Sequence, residues 1–125
     1  GGVRIAIDGM VLDVKRWLPE HPGGDRIIPS QSTNVDATRH FELYHASKES
    51  FLYLKTFYVG EVVEKDLQKI PRVVNSTTGV EDPPASPEFL SQLREYTKEF
   101  RIDPQGEYKA EEEKEEVVRV HLGAR

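Results

Sequence analysis

Residues 3–24 read Val3-Arg4-Ile5-Ala6-Ile7-Asp8-Gly9-Met10-Val11-Leu12-Asp13-Val14-Lys15-Arg16-Trp17-Leu18-Pro19-Glu20-His21-Pro22-Gly23-Gly24. The first half sets Asp8-Gly9 between two runs of β-type residues. That pattern predicts a hairpin, because a type I′ turn needs positive φ at both central positions. The second half ends on a histidine before proline. Proline pushes the preceding backbone towards extended geometry, and Gly23-Gly24 then permit a tight turn and close approach by a flat ligand. His21 is thereby held at a bend.

Downstream, Asn34 to Tyr44 predicts a short helix, with Asn34 or Asp36 as its cap and Ala37, Phe41, Tyr44 and His45 at helical spacing. Ser47 to Leu54 predicts a second short helix carrying Phe51, Leu52 and Leu54. Thr56 to Val62 is β-branched and aromatic enough for a closing strand. His45 therefore ends one helix, four residues after Phe41 on the same face. Two helical hairpins facing each other would present His21 and His45 across an apolar slot lined by Ile27, Ile28, Phe41, Leu52, Leu54 and Phe57. Such a slot suits a flat macrocycle with a metal at its centre. Each histidine also has a plainer reading: His21 as a turn residue, His45 as a helix-end side chain satisfied by the last carbonyls.

Composition narrows the chemistry. The 125 residues carry a net charge of −5, with 37% hydrophobic and 31% charged residues, eight prolines and no cysteine. Without cysteine there is no disulfide framework, iron–sulfur cluster, thiolate zinc site or cysteine catalysis, so any metal must be held by nitrogen or oxygen. Lys and Arg are not clustered as phosphate binding requires, which argues against nucleic acid. No apolar run reaches the roughly 20 residues of a membrane helix, and Gly1-Gly2-Val3-Arg4 has no signal-peptide shape, so the chain is expected to be soluble. Hydrolytic chemistry gains little support, since no His-x-x-x-His or paired-carboxylate site is evident. His40 is turned about 100° from the Phe41 face and is expected at the surface.

The texture changes near residue 62. Residues 1–62 are close to neutral, with eight acidic and seven basic side chains, and the core is expected there; residues 63–125 hold fourteen acidic and ten basic. Pro71 to Ala85 predicts a linker or surface-draped loop. Ser86-Pro87-Glu88 starts a helix, with serine as N-cap, proline in the first turn and an early carboxylate. Phe89, Leu90, Leu93, Tyr96 and Phe100 form its apolar stripe, which must pack on something. The run Glu111 to Glu116 predicts a solvated helix or disorder. The division is 3–62 core, 63–85 linker or loop, and 86–125 helical and acidic C-terminal extension.

Taken together, Val11 to Gly24, Asp36-Ala37-Thr38, Phe41, His45 and Phe57 to Val62 resemble the cytochrome b5 haem-binding domain, the parts falling in family order with the two histidines 24 positions apart. The resemblance covers about residues 3–62. It implies an α+β fold: a small mixed sheet with short helical hairpins forming a haem pocket, followed here by an extension containing a helix. It implies that His21 and His45 are the axial ligands of a non-covalent b-type haem, with Ile27, Ile28, Phe41, Leu52, Leu54 and Phe57 around it. The stretch Asp36 to His45, Ile27-Ile28-Pro29-Ser30 and Tyr53-Leu54-Lys55-Thr56 are also similar to b5 domains fused to front-end fatty-acid desaturases. The implied partners are a reductase and an electron-accepting protein such as a desaturase. The implied setting is a cytoplasmic monomer, at the cytosolic face of the endoplasmic reticulum through a fused or partner membrane protein. The implied role is electron carrier, not enzyme. A haem-binding or protein-interaction module without electron-transfer duty is the second class.

Family members commonly dock partners through acidic residues around the haem edge. Glu20, Asp25, Asp36, Glu42 and Glu49 could serve, though Arg26, Arg39 and Lys48 interleave with them. The family pattern also has a strand and helix ahead of the hairpin, and the chain begins almost at the hairpin. Val117 to Leu122, or part of the linker, is therefore expected to cover the exposed sheet edge.

Overall fold

The computed structural model describes residues 4–15, 35–74, 77–102, 110–112 and 119–122. Among them, β1 (Arg4–Ile7) and β2 (Met10–Asp13) form the hairpin, and β3 (Val35–Asp36) follows. Then come α1 (Thr38–Tyr44), α2 (Lys48–Tyr53), a 3-10 turn at Leu54–Thr56 and β4 (Tyr58–Val62). A second 3-10 segment spans Glu64–Lys69, α3 spans Pro87–Thr97, and β5 (Ala110–Glu112) and β6 (Arg119–Leu122) complete the order. The strands make one mixed sheet in the order β3-β1-β2-β4-β6-β5, giving an α+β architecture.

The turn is what Asp8-Gly9 dictates. Asp8 has φ 51 and Gly9 φ 83, the two left-handed positions of a type I′ turn. A Cβ on Gly9 would stand 3.2 Å from the Leu67 Cδ2 methyl at that strained φ. Gly9→Ala is expected to cost about 1–2 kcal/mol, read as a lower urea midpoint; an unchanged midpoint would show that the turn relaxes freely.

Two sequence expectations shift. Val35–Asp36 pairs in parallel with β1, Ile5 opposite Val35, so the helix begins at Thr38 and not at Asn34, which lies outside the described residues. Long-range pairing outweighed local capping signals. Asp36 nevertheless serves the helix start, since its Oδ1 accepts from the Thr38 N–H at 3.0 Å and from the Thr38 hydroxyl. Second, Ala110–Glu112 is a strand against β6, where part of the Glu111 run was expected helical or disordered. Backbone pairing along an open strand edge does not depend on side-chain type, and charged residues on an outer strand discourage further pairing.

The expected edge cover is present for residues 119–122. β6 pairs antiparallel with β4, Glu61 opposite His121 and Val62 opposite Val120. Between β2 and β4 the register shifts at Val11/Leu12, which pair with Gly60 and Tyr58, leaving Val59 as a bulge.

Alternation along the strands divides the apolar residues. Ile5, Ile7, Met10, Leu12, Val14 and Tyr58 join Ala37, Phe51, Leu54, Phe89 and Leu93 in the main core. Val11 and Val62 form a smaller cluster with Val59 and Ile70. The main core therefore draws on both halves of the chain, with α3 as a constituent. Ser86 caps that helix as its sequence requires, its Oγ accepting from the Phe89 N–H at 3.2 Å with Pro87 in the first turn. The described residues of 71–85 are mostly exposed, and the Asp36–Arg72 and Val74–Glu81 bridges tie the segment down.

Candidate functional site

The corner between α1 and α2 holds His45. It is the C-cap of α1: its N–H donates to the Phe41 carbonyl at 2.7 Å, and its own carbonyl accepts from the Ser47 N–H at 2.9 Å. Ser47 then caps α2, its Oγ accepting from the Ser50 N–H at 3.1 Å. Its hydroxyl is thus engaged in the cap and with the Ser50 hydroxyl at 2.9 Å. Both helices are short, and the corner is fixed by these bonds rather than by helix length.

The His45 ring is partly buried and lies 5.4 Å from the Phe41 ring, tilted 38°. Phe41 continues inward to Phe51 at 6.1 Å and Phe89 at 6.4 Å. Leu52 is 43% exposed, whereas Leu54 is buried in the main core at 6%. Phe57 is partly buried against that core, its ring 5.1 Å from Tyr53 and nearly perpendicular to it. Leu43, Tyr44 and Tyr53 add exposed apolar surface on the same two helices. His21, Ile27 and Ile28 lie outside the described residues. An imidazole beside a phenylalanine ring on an apolar corner is donor chemistry that a haem iron accepts, so the described residues fit that group. His40 is partly buried and stands 4.8 Å from the Tyr44 ring, on a different side of α1 from Phe41.

Two of the three described acidic candidates are engaged. Glu42 accepts from the Ser86 hydroxyl and from Arg39, each at 2.6 Å. Those partners, Ser86 foremost, hold its carboxyl below the usual range. Asp36 is committed to Thr38. Glu49 sits exposed in the first turn of α2, while Glu20 and Asp25 lie outside the described residues.

A polar network behind the hairpin was not anticipated. Arg101 donates from Nε and Nη2 to the Glu61 carboxylate, from Nη1 to Asp8 Oδ2 at 3.0 Å, and from Nη2 to the Asp8 carbonyl at 2.8 Å. Arg94 grips the same Asp8 with two bonds, 2.9 and 2.7 Å. Tyr58 donates to Glu61 Oε2 at 2.6 Å and accepts from the Ile102 N–H at 2.9 Å. Burial, then the adjacent Glu61, pushes the Tyr58 phenol far above its ordinary range, so it stays a donor. Apart from Tyr58 and Glu61, three positions apart on β4, these partners lie 40 to 93 positions apart, beyond any local signal.

Among the described residues no helix is long and apolar enough to cross a membrane. Residues 2–63 match the family described as Cytochrome b5-like Heme/Steroid binding domain. The chain is 39% identical over 64 residues to cytochrome b5 type B of Homo sapiens, covering 51% of this chain and 42% of that protein. It is 34% identical over 95 residues to cytochrome b5 of Borago officinalis, covering 74% and 69%. It is 38% identical over 72 residues to the acyl-lipid (8-3)-desaturase of Mortierella alpina, covering 57% of this chain and 16% of that enzyme. The chain belongs to the cytochrome b5 family, whose members bind haem and carry electrons. It spans less than half the length of the human relative.

Proposed function

We propose that this chain holds a b-type haem non-covalently between the imidazoles of His21 and His45. In this reading it carries single electrons from a reductase to a membrane-associated oxidative enzyme such as a lipid desaturase. The observation that carries the reading is the place of His45, partly buried at a hydrogen-bonded helix corner with its ring against Phe41. Family membership supports it, and a desaturase among the relatives supports the acceptor class. A haem ligated by two imidazoles has no open coordination position and supplies one-electron transfer.

The chain's own residues then have distinct duties. The α1–α2 corner orients the His45 ring, and Phe41 limits its rotation. Phe41, Leu52 and Phe57, with Ile27 and Ile28, exclude water from the macrocycle, and Leu54 backs that wall from the core. Oxidation of lipid belongs to the partner. The proposed setting is a monomer at the cytosolic face of the endoplasmic reticulum, reached through a fused or partner membrane protein.

Adding haem to the purified chain is expected to give a low-spin spectrum that shifts with dithionite. His21→Ala and His45→Ala are each expected to open a coordination position and weaken haem retention at least about 100-fold, the upper end of what even indirect metal-site contacts cost. A chain that stays colourless overturns the haem reading. Variants that both keep a six-coordinate low-spin spectrum overturn the ligand assignment.

A further inference from the structure

Helix α1 has seven residues and, although Asp36 ties its first N–H, it is too short to hold its own geometry. Whatever packs on it decides where its last residue, and hence His45, points. Two contacts come from the first turn of α3. One is polar: the Ser86 hydroxyl donates to Glu42 Oε2 at 2.6 Å, and the Ser86 N–H lies 3.4 Å from both carboxylate oxygens. The other is aromatic: Phe89 lies 6.4 Å from Phe41, whose ring is the one beside His45. Ser86 joins the two, since its Oγ also accepts from the Phe89 N–H. A single serine thus caps α3, fixes Glu42 and sets the height of Phe89 against Phe41. Glu42 and Phe41 are three and four residues from His45, within one helical turn of it.

We propose that Ser86 and Phe89 are positioning residues for His45, so that α3 forms part of the haem site although it lies outside the stretch matched to the family. The inference rests on the reading of His45 as an axial ligand. Orientation of a ligating imidazole is set by its surroundings, and loss of such a supporting contact typically weakens a metal site 10–100-fold. Arg94 supplies the comparison: it anchors α3 to Asp8 of the hairpin turn, through a side chain that is 60% exposed.

The test uses the full chain loaded with haem, comparing Ser86→Ala, Phe89→Leu, Ser86→Thr and Arg94→Gln. The readouts are the rate of haem transfer to excess apomyoglobin and the g values of the ferric low-spin signal, which follow imidazole orientation. Ser86→Ala and Phe89→Leu are expected to lose haem about ten times faster with shifted g values. Ser86→Thr keeps the hydroxyl and is expected to match the wild type, as is Arg94→Gln. If Ser86→Ala and Phe89→Leu leave both readouts at wild-type values, or if Arg94→Gln shifts the g values equally, α3 is a structural prop and the inference falls. A wild-type chain that takes up no haem overturns the ligand reading itself, a result distinct from a loaded wild type whose signal Ser86→Ala leaves in place.

Discussion

Arg101→Met is expected to destabilise the chain by about 3–5 kcal/mol, the cost of leaving a buried charge without its partner. Glu61 is 2% exposed, and without the guanidinium its carboxylate keeps only the Tyr58 hydroxyl among the side-chain bonds described above. Asp8 suffers less, because Arg94 remains bound to it. Arg101→Lys is expected to recover little, since an ammonium cannot reach Glu61, Asp8 Oδ2 and the Asp8 carbonyl in the planar fork that a guanidinium offers. The decisive comparison is Arg101→Met combined with Glu61→Leu. Removing both charges is often neutral or stabilising, so the double variant should lie well above the single in urea midpoint, with a coupling energy of about 2–3 kcal/mol. Additive losses would mean that Arg101 acts through packing alone.

That network alters how the second half of the chain reads. Arg94 lies within α3 and Arg101 four residues beyond its end, far in sequence from the Asp8 they bind. Asp8 looks like a turn residue, chosen because Asp tolerates positive φ. In the fold the hairpin turn is also the anchor for α3, so one residue closes β1 to β2 and binds two arginines. No periodicity within either segment encodes this, because the partners meet only after the sheet and α3 have packed.

What the chain does encode locally is well expressed. Asp8-Gly9 makes the expected turn and Ser86 makes the expected cap through the Phe89 N–H three residues on; Ser47 caps α2 by the same local bond, to the Ser50 N–H. Asp36 shows the boundary of that legibility. Its capping chemistry is real, but Val35 and Asp36 also meet β1, a pairing across some thirty residues that moved the helix start to Thr38. The Phe41–His45 ring contact was legible because Phe41 precedes His45 by one helical turn. The bond between Glu42 and Ser86 joins residues 44 apart and was not. The strand over β4 was legible for a different reason: an uncovered edge needs a partner, and Val-rich residues near the end of the chain were suited to supply it.

The largest loss from a single apolar truncation is expected at Phe51. It is 1% exposed and stands at the centre of the aromatic packing, 6.1 Å from Phe41, 5.7 Å from Phe89 edge-on and 6.0 Å from Tyr96 in a stacked arrangement. It belongs to α2, while its neighbours belong to α1 and α3, so its ring is the joint of three helices. Phe51→Ala removes the apolar area, leaves a cavity that rigid rings cannot close, and breaks three ring contacts at once, for about 3–5 kcal/mol. Phe51→Leu keeps much of the volume and forfeits mainly the aromatic geometry, about 1–2 kcal/mol. The difference should appear in urea midpoints, and a Phe51→Ala loss below about 1 kcal/mol would show that the three helices hold together without it. The same variant reaches the functional corner, because Phe41 rests on Phe51 on one side and on His45 on the other. Phe51→Leu, which should stay folded, is therefore expected to loosen His45 and speed haem loss more than its modest stability cost alone accounts for.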